Sequence, residues 1–206
     1  MKPRFAIVQR AAAALGFLVL GACASTLPTH YHTLLGAAAE TATSSAPASF
    51  LIDVQPVGIP AQVDRPQLVV RDGGGMIPLE QERWIASLAD EARTALSTDL
   101  SRELAVTDVA GQPRPEGAKV VTIKVDLRRF DSVAGAYAAI DAVWSLSANE
   151  ANAKTLVCGS EARESVGPGY DELVQGHRRA LSAIASRIAS AARGYAATGK
   201  GACPPN

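Results

Sequence analysis

Between residues 121 and 128 apolar and polar side chains alternate without a break. Val121, Ile123, Val125 and Leu127 fall on one side, and Thr122, Lys124, Asp126 and Arg128 on the other. A period of two in a β-branched run predicts a strand with one buried face. The next segment repeats the pattern, with Ala136, Ala138, Ile140, Ala142, Trp144 and Leu146 on a face opposite Tyr137, Asp141 and Ser145. Residues 154–166 return as a partner strand across a turn at 149–152, which makes a meander. The period then changes: Tyr170, Leu173, Val174, His177, Leu181, Ile184, Ile188, Ala191 and Tyr195 recur at steps of three and four after Gly167-Pro168-Gly169. This predicts a long amphipathic helix, with Asp171 and Glu172 complementing its dipole in the first turn and Gly194 and Gly199 at its end.

The first half of the chain is less regular. Residues 26–35 predict a short strand through Tyr31, Leu34 and Leu35, and the Ala, Ser, Thr and Pro of residues 36–49 predict a flexible loop. Residues 50–57 read as a strand ended by Pro56 and Pro60. After Asp64-Arg65-Pro66-Gln67 a second β-rich run, Leu68-Val69-Val70, is closed by Gly73-Gly74-Gly75. Helical spacing through Trp84, Leu88, Ala92, Leu96, Leu100 and Leu104 predicts a helix over residues 80–104, with Glu80 and Glu82 near its start. Strands grouped apart from two helices, without a strict βαβ rhythm, indicate an α+β fold: one domain, a mostly antiparallel sheet, and both main helices packed on one face.

The first 22 residues have a different character. Lys2, Arg4 and Arg10 precede an apolar stretch over residues 11–20 and a small-residue end at Gly21-Ala22. This order describes a secretory signal. As a helix the stretch covers ~15 Å, about half of a bilayer's hydrocarbon core, so a permanent span is disfavoured. Leu20-Gly21-Ala22-Cys23 resembles the bacterial lipobox, in which cleavage before a diacylated cysteine leaves a lipid-anchored amino terminus. The expected organisation is a lipoprotein signal peptide at 1–22, a lipidated tether at 23–29, a domain at 30–200 and a tail at 201–206. Ala24 after the cysteine, where Asp would mark retention at the inner membrane, fits delivery to the outer membrane and an exposure to the periplasm.

Charge and cysteine content narrow the function. The chain has 20 basic and 20 acidic residues; removing the leader's three basic residues leaves 17 against 20, a charge near −3 with no nucleic-acid footprint. Its three cysteines lack C-x-x-C spacing. Cys158 and Cys203 belong to the exported domain, where an oxidising compartment favours a bond between them; the alternative is one buried and one exposed free thiol.

Candidate chemistry is sparse. His30 and His32 share one face of a strand, a spacing that can ligate zinc, but no third ligand is grouped with them in sequence. His177 lies on the apolar face of the last helix and reads as a hydrogen-bonded core histidine. Gly73-Gly74-Gly75 is not followed by Lys and Ser or Thr, so it reads as a loop and not a phosphate cradle. No nucleophile elbow, P-loop, dinucleotide fingerprint or zincin helix is present in the sequence. The expectation is a protein that is not an enzyme and needs no cofactor or metal.

Asp64-Arg65-Pro66-Gln67, with the preceding Ile52-x-Val54-x-Pro56-Val57 and the following Leu68-Val69-Val70-Arg71, resembles the ABC-type transport auxiliary lipoproteins of the paraquat-inducible protein C type. Tyr31-His32-Thr33-Leu34 is similar to that family's aromatic first strand. Residues 84–104, Trp144-Ser145-Leu146 and residues 170–188 are similar to its first helix, late strand and closing helix. The resemblance implies a non-catalytic lipoprotein of an envelope lipid-transport system, partnered by a mammalian-cell-entry (MCE) domain protein, a permease and an ATPase. It also implies docking of the MCE channel at the outer membrane, and self-association, since members of the family can form rings. The competing reading is a stand-alone structural or assembly lipoprotein that works through a sheet edge.

Asp64, Arg65, Pro66 and Gln67 have two readings. They could present Arg65 and Gln67 to a partner or a lipid headgroup. In the favoured reading Asp64 and Pro66 fix the chain between strands while Arg65 pairs with a carboxylate. The insert at 36–49, the glycine loop and the Cys203 tail depart from common members of the family.

Overall fold

The computed structural model describes residues 27–36, 48–150 and 152–205. The signal segment, Cys23 and residues 37–47 of the expected loop lie outside the described residues.

The alternating segment builds the main sheet. Strands β1 (His30–His32), β2 (Leu51–Val54), β3 (Gln67–Asp72) and β4 (Gly75–Trp84) precede helix α1 (Leu88–Leu104). Then come β5 (Val120–Val133), β6 (Tyr137–Ala148) and β7 (Leu156–Ser165), and helix α2 (Tyr170–Thr198) closes the domain. The meander β5-β6-β7 is antiparallel, with Val125 opposite Trp144 and Trp144 opposite Cys158. Its register shifts between Leu127 and Arg129, where the ladder bulges. The inward set contains Ile123, Leu127, Ile140, Trp144 and Leu146, each at most 1% exposed. Against it α2 lays Leu173, Leu181, Ile184 and Ile188, which are also buried, so one apolar core joins the sheet to the helix.

At the close approach of α2 to the sheet stands Gly176. A Cβ there would meet Val166 Cγ1 at 2.3 Å and Ala138 Cβ at 3.0 Å. The residue is small because two elements touch at that point.

The α+β class and the two helices agree with the sequence reading, but the strands form two sheets rather than one. The larger has the order β2-β5-β6-β7 and the smaller β1-β4-β3. Both are mixed, because β2 runs parallel to β5 and β1 parallel to β4. These pairings join strands far apart in the chain, and local periodicity carries no information about them.

The first helix also starts later than its spacing predicts. Residues 75–84 are strand, and α1 begins at Leu88 with Ser87 as its N-cap, whose side chain accepts from the Asp90 N–H at 3.1 Å. Gly73 and Gly74 have φ of 52° and 97°, the left-handed pair of a two-residue hairpin turn, and they fold the following residues back onto β3. Trp84 is therefore the inward residue at the end of a strand. The acids of the first helical turn are Asp90 and Glu91, not Glu80 and Glu82.

The outer edge of β7 is covered. Its carbonyls at Glu161 and Ser165 accept from Arg187 and Arg179, and the Cys203 sulfur lies 3.4 Å from the Val157 carbonyl oxygen. Cys158 and Cys203 are joined by a disulfide, with Cα atoms 5.5 Å apart, which ties the tail to the sheet beside Val157. Covering an edge in this way blocks pairing with another strand. Among the described residues, no helix is long and apolar enough to cross a membrane.

Candidate docking site

The Asp64-Arg65-Pro66-Gln67 segment crosses from a turn into β3. The Val63 and Asp64 N–H groups both donate to the Pro60 carbonyl, at 3.0 and 3.1 Å, and the Pro66 carbonyl accepts from the Trp84 N–H at 2.9 Å. Gln67 is the Cα partner of Arg83, and its amide donates to Glu80 at 3.4 Å. The backbone of the segment is thus structural: it seats the start of β3 against the end of β4. The expected pairing of Arg65 with a carboxylate is not found. Its side chain is exposed and makes no ion pair with a described residue, because the turn aims it into solvent. Beside it lies an open recess of about 350 Å³ whose wall includes Pro66, Trp84, Ile85 and Leu88.

Strand β1 completes this end of the molecule. Tyr31 is the Cα partner of Arg83, and His32 that of Trp84. The two histidines meet a third group that local spacing did not reveal. The Glu82 carboxylate accepts from His30 Nδ1 at 3.1 Å and from His32 Nε2 at 2.6 Å, while His32 Nδ1 lies 3.5 Å from Asp171 on α2. Glu82 is fifty residues from His32 and reaches it only through the parallel pairing of β1 with β4. No group of three or more His, Cys, Asp or Glu among the described residues is arranged to hold a metal ion.

Two residues that sequence reasoning missed clamp the chain after β1. Glu91, buried in α1, accepts from Thr33 Oγ1 and from the Leu34 N–H, both at 2.7 Å. Arg178 of α2 donates twice to the Thr33 carbonyl, at 3.0 and 2.7 Å. A buried acid one turn into a helix and an arginine on a helix flank are weak signals by themselves, and their shared target is remote in the chain.

His177 lies deep in the interior. Its Nε2 is 2.8 Å from Ser132 Oγ, its ring stacks on Phe130, and Nδ1 has no protein partner. Burial holds its pKa down at about 3, so the ring is neutral. Both Ser132 and His177 are 0% exposed. The pair therefore cannot meet a substrate, and it belongs to the core.

Two further open recesses line the surface. One, of about 280 Å³, lies among Leu34, Leu35, Ala95, Arg102 and Arg178, and the other, of about 400 Å³, among Arg71, Arg129, Phe130, Asp131 and Asp141. The arginines of the second are matched by acids: Arg71 with Asp131 at 2.8 Å and Arg129 with Asp141 at 2.8 Å. Neither recess concentrates unpaired charge.

Together these features define an α+β domain of two mixed sheets under a helical pair, with an open surface recess beside an arginine that is unpaired among the described residues. The chain belongs to the family of ABC-type transport auxiliary lipoprotein components, whose family model matches residues 32–189. Its fold is similar to a crystal structure of an uncharacterized protein, with a TM-score of 0.62 at 18% identity over 79% of this chain and 97% of that one. It is also similar to protein XCC0632 from Xanthomonas campestris, with a TM-score of 0.56 at 14% identity over 79% and 90% of the two chains. No curated protein matches the sequence.

Proposed function

We propose that this protein is a non-catalytic, lipid-anchored subunit of an MCE-type ABC lipid transporter that docks the periplasmic MCE channel at the outer membrane. Membership of the transport auxiliary family over residues 32–189 is the observation that carries the reading. The lipobox at Cys23 supports it. Strand β1 starts at His30, seven residues past that cysteine, so an extended tether reaches only about 25 Å. A tether this short raises the effective concentration of the domain for any channel tip that approaches the membrane. A role without catalysis fits the burial of the Ser132–His177 pair. The alternative of a scaffold acting through a sheet edge loses β7, whose outer carbonyls are already occupied.

Crosslinking of the lipidated protein in its own envelope, followed by purification, should recover an MCE-domain protein. Recovery of none, under conditions where a known envelope complex crosslinks, overturns the reading. Palmitate labelling that is the same in wild type and Cys23→Ser would remove the anchor.

A further inference from the structure

The end of the smaller sheet carries an apolar face with charged groups around it, exposed among the described residues. Register and alternation build it. Tyr31, Arg83 and Gln67 are successive Cα partners across β1, β4 and β3, so they share one side. The ladder continues past both strands, because Ile85 N–H donates to the His32 carbonyl at 2.9 Å and Trp84 N–H to that of Pro66. Ile85 and Arg65 follow at the bends that end the ladder and wall one open recess, while His32 and Trp84 turn inward. Tyr31 and Ile85 are both 61% exposed, and Leu27, just before β1, is 68% exposed. Four of the charged groups near this face are Arg65, which is unpaired among the described residues, Asp64, and Arg83 with its neighbour Glu80 at 3.6 Å.

We propose that this face, made by Leu27, Tyr31, Ile85 and Arg65, lies on the bilayer to which the chain is anchored. The proposal rests on the reading of Cys23 as the lipidated residue. Only three residues separate Cys23 from Leu27 and seven separate it from Tyr31. The four Cα steps from Cys23 to Leu27 reach about 14 Å even when fully extended, so Leu27 cannot leave the headgroup region far behind. Of the exposed apolar side chains, those nearest the anchor in sequence or in the β1–β4 ladder make up the patch. Tyrosine with a polar tip and an apolar body, aliphatic neighbours, and an arginine free to bind phosphate through two parallel hydrogen bonds are the side chains suited to a membrane interface. Asp64 beside Arg65 suits a zwitterionic headgroup, which presents an ammonium next to its phosphate. The anchor and the patch together would fix the orientation of the domain, with α2, about 43 Å long, leading away from the end where Arg178 holds Thr33.

The test uses the lipidated full-length protein in vesicles of phosphatidylethanolamine and phosphatidylglycerol. With Cys158 and Cys203 bonded and Cys23 acylated, Ile85→Cys provides a single free thiol for an environment-sensitive fluorophore. Glu116→Cys, on an exposed loop before the start of β5, at the opposite end of that strand from Phe130 and its neighbour Trp84, is the control. Flotation of the vesicles first shows whether the anchor holds; protein left behind overturns both the anchor and the contact. For protein that floats, the expected result is a blue-shifted emission at position 85 that is quenched by headgroup-proximal doxyl lipid, with neither effect at 116. An unshifted label at 85 overturns the contact and leaves the anchor standing. A blue shift that doxyl lipid does not quench means that protein, such as a second copy of the chain, covers the face, and this too overturns the proposal.

Discussion

The imidazole of His177 lies flat against the ring of Phe130, with centroids 3.9 Å apart and planes 11° from parallel. Trp84 meets the other side of this arrangement edge-on to Phe130, at 6.2 Å. The stack thus joins α2, the far half of β5 and the end of β4, where the two sheets meet. A polar ring placed there makes the junction sensitive to protonation.

Folding holds the His177 pKa well below the ordinary 6.5, at about 3, through burial. The unfolded chain therefore takes up the proton first as pH falls. Stability from the neutral ring is intact above about pH 6.5 and declines between there and pH 3, by roughly 1 kcal/mol per pH unit. Denaturant midpoints measured across this range should show the decline, and His177→Leu combined with Ser132→Ala should flatten it. An equal slope in wild type and double variant would show that other groups are responsible.

Gly176→Ala should destabilise the domain although alanine is the better helix former. The helix gain is about 0.5–1 kcal/mol, whereas overpacking against Val166 and the immovable Cβ of Ala138 costs about 1–3 kcal/mol. Thermal melting should show a lower midpoint. A higher one would mean that α2 slides away from the sheet at little cost.

Reducing the Cys158–Cys203 bond frees a tail that closes a loop of 45 residues. The chain-entropy estimate gives at most about 4 kcal/mol for such a loop. Cys203→Ser should lower the denaturation midpoint and expose the β7 edge, which hydrogen exchange at Val157 and its neighbours would report. Unchanged melting would place the tail outside the cooperative unit.

Glu91→Ala should detach the start of the domain, since it leaves the Leu34 N–H and Thr33 hydroxyl without their shared acceptor. A loss of about 1–3 kcal/mol is expected for a buried group stripped of its partner. Limited proteolysis ahead of Phe50 should accelerate in the variant. Equal rates would show that Arg178 alone holds the segment.

Arg65→Ala should melt within about 0.5 kcal/mol of wild type, as befits an exposed side chain without an ion pair. Calorimetry decides this directly. A much larger loss would restore the structural reading of this residue.

Amphipathic periodicity determined much of the fold from sequence alone: the meander of β5, β6 and β7, the long α2 and the core half of α1. In each, a buried face recurs at the period of its own backbone, so the signal is local. The expectations of a lipobox at Cys23 and of no nucleic-acid partner also rest on local pattern or composition alone. The tertiary structure alone decided that residues 75–84 are strand, because their pairing with β3 outweighs a helical spacing that Trp84 happens to share. It also decided that β1 and β2 enter different sheets, that Glu82 joins His30 and His32, and that Glu91 and Arg178 converge on Thr33. These contacts join residues fifty or more positions apart. The physical reason is that side-chain periodicity records which face of an element is buried, but not which other element buries it.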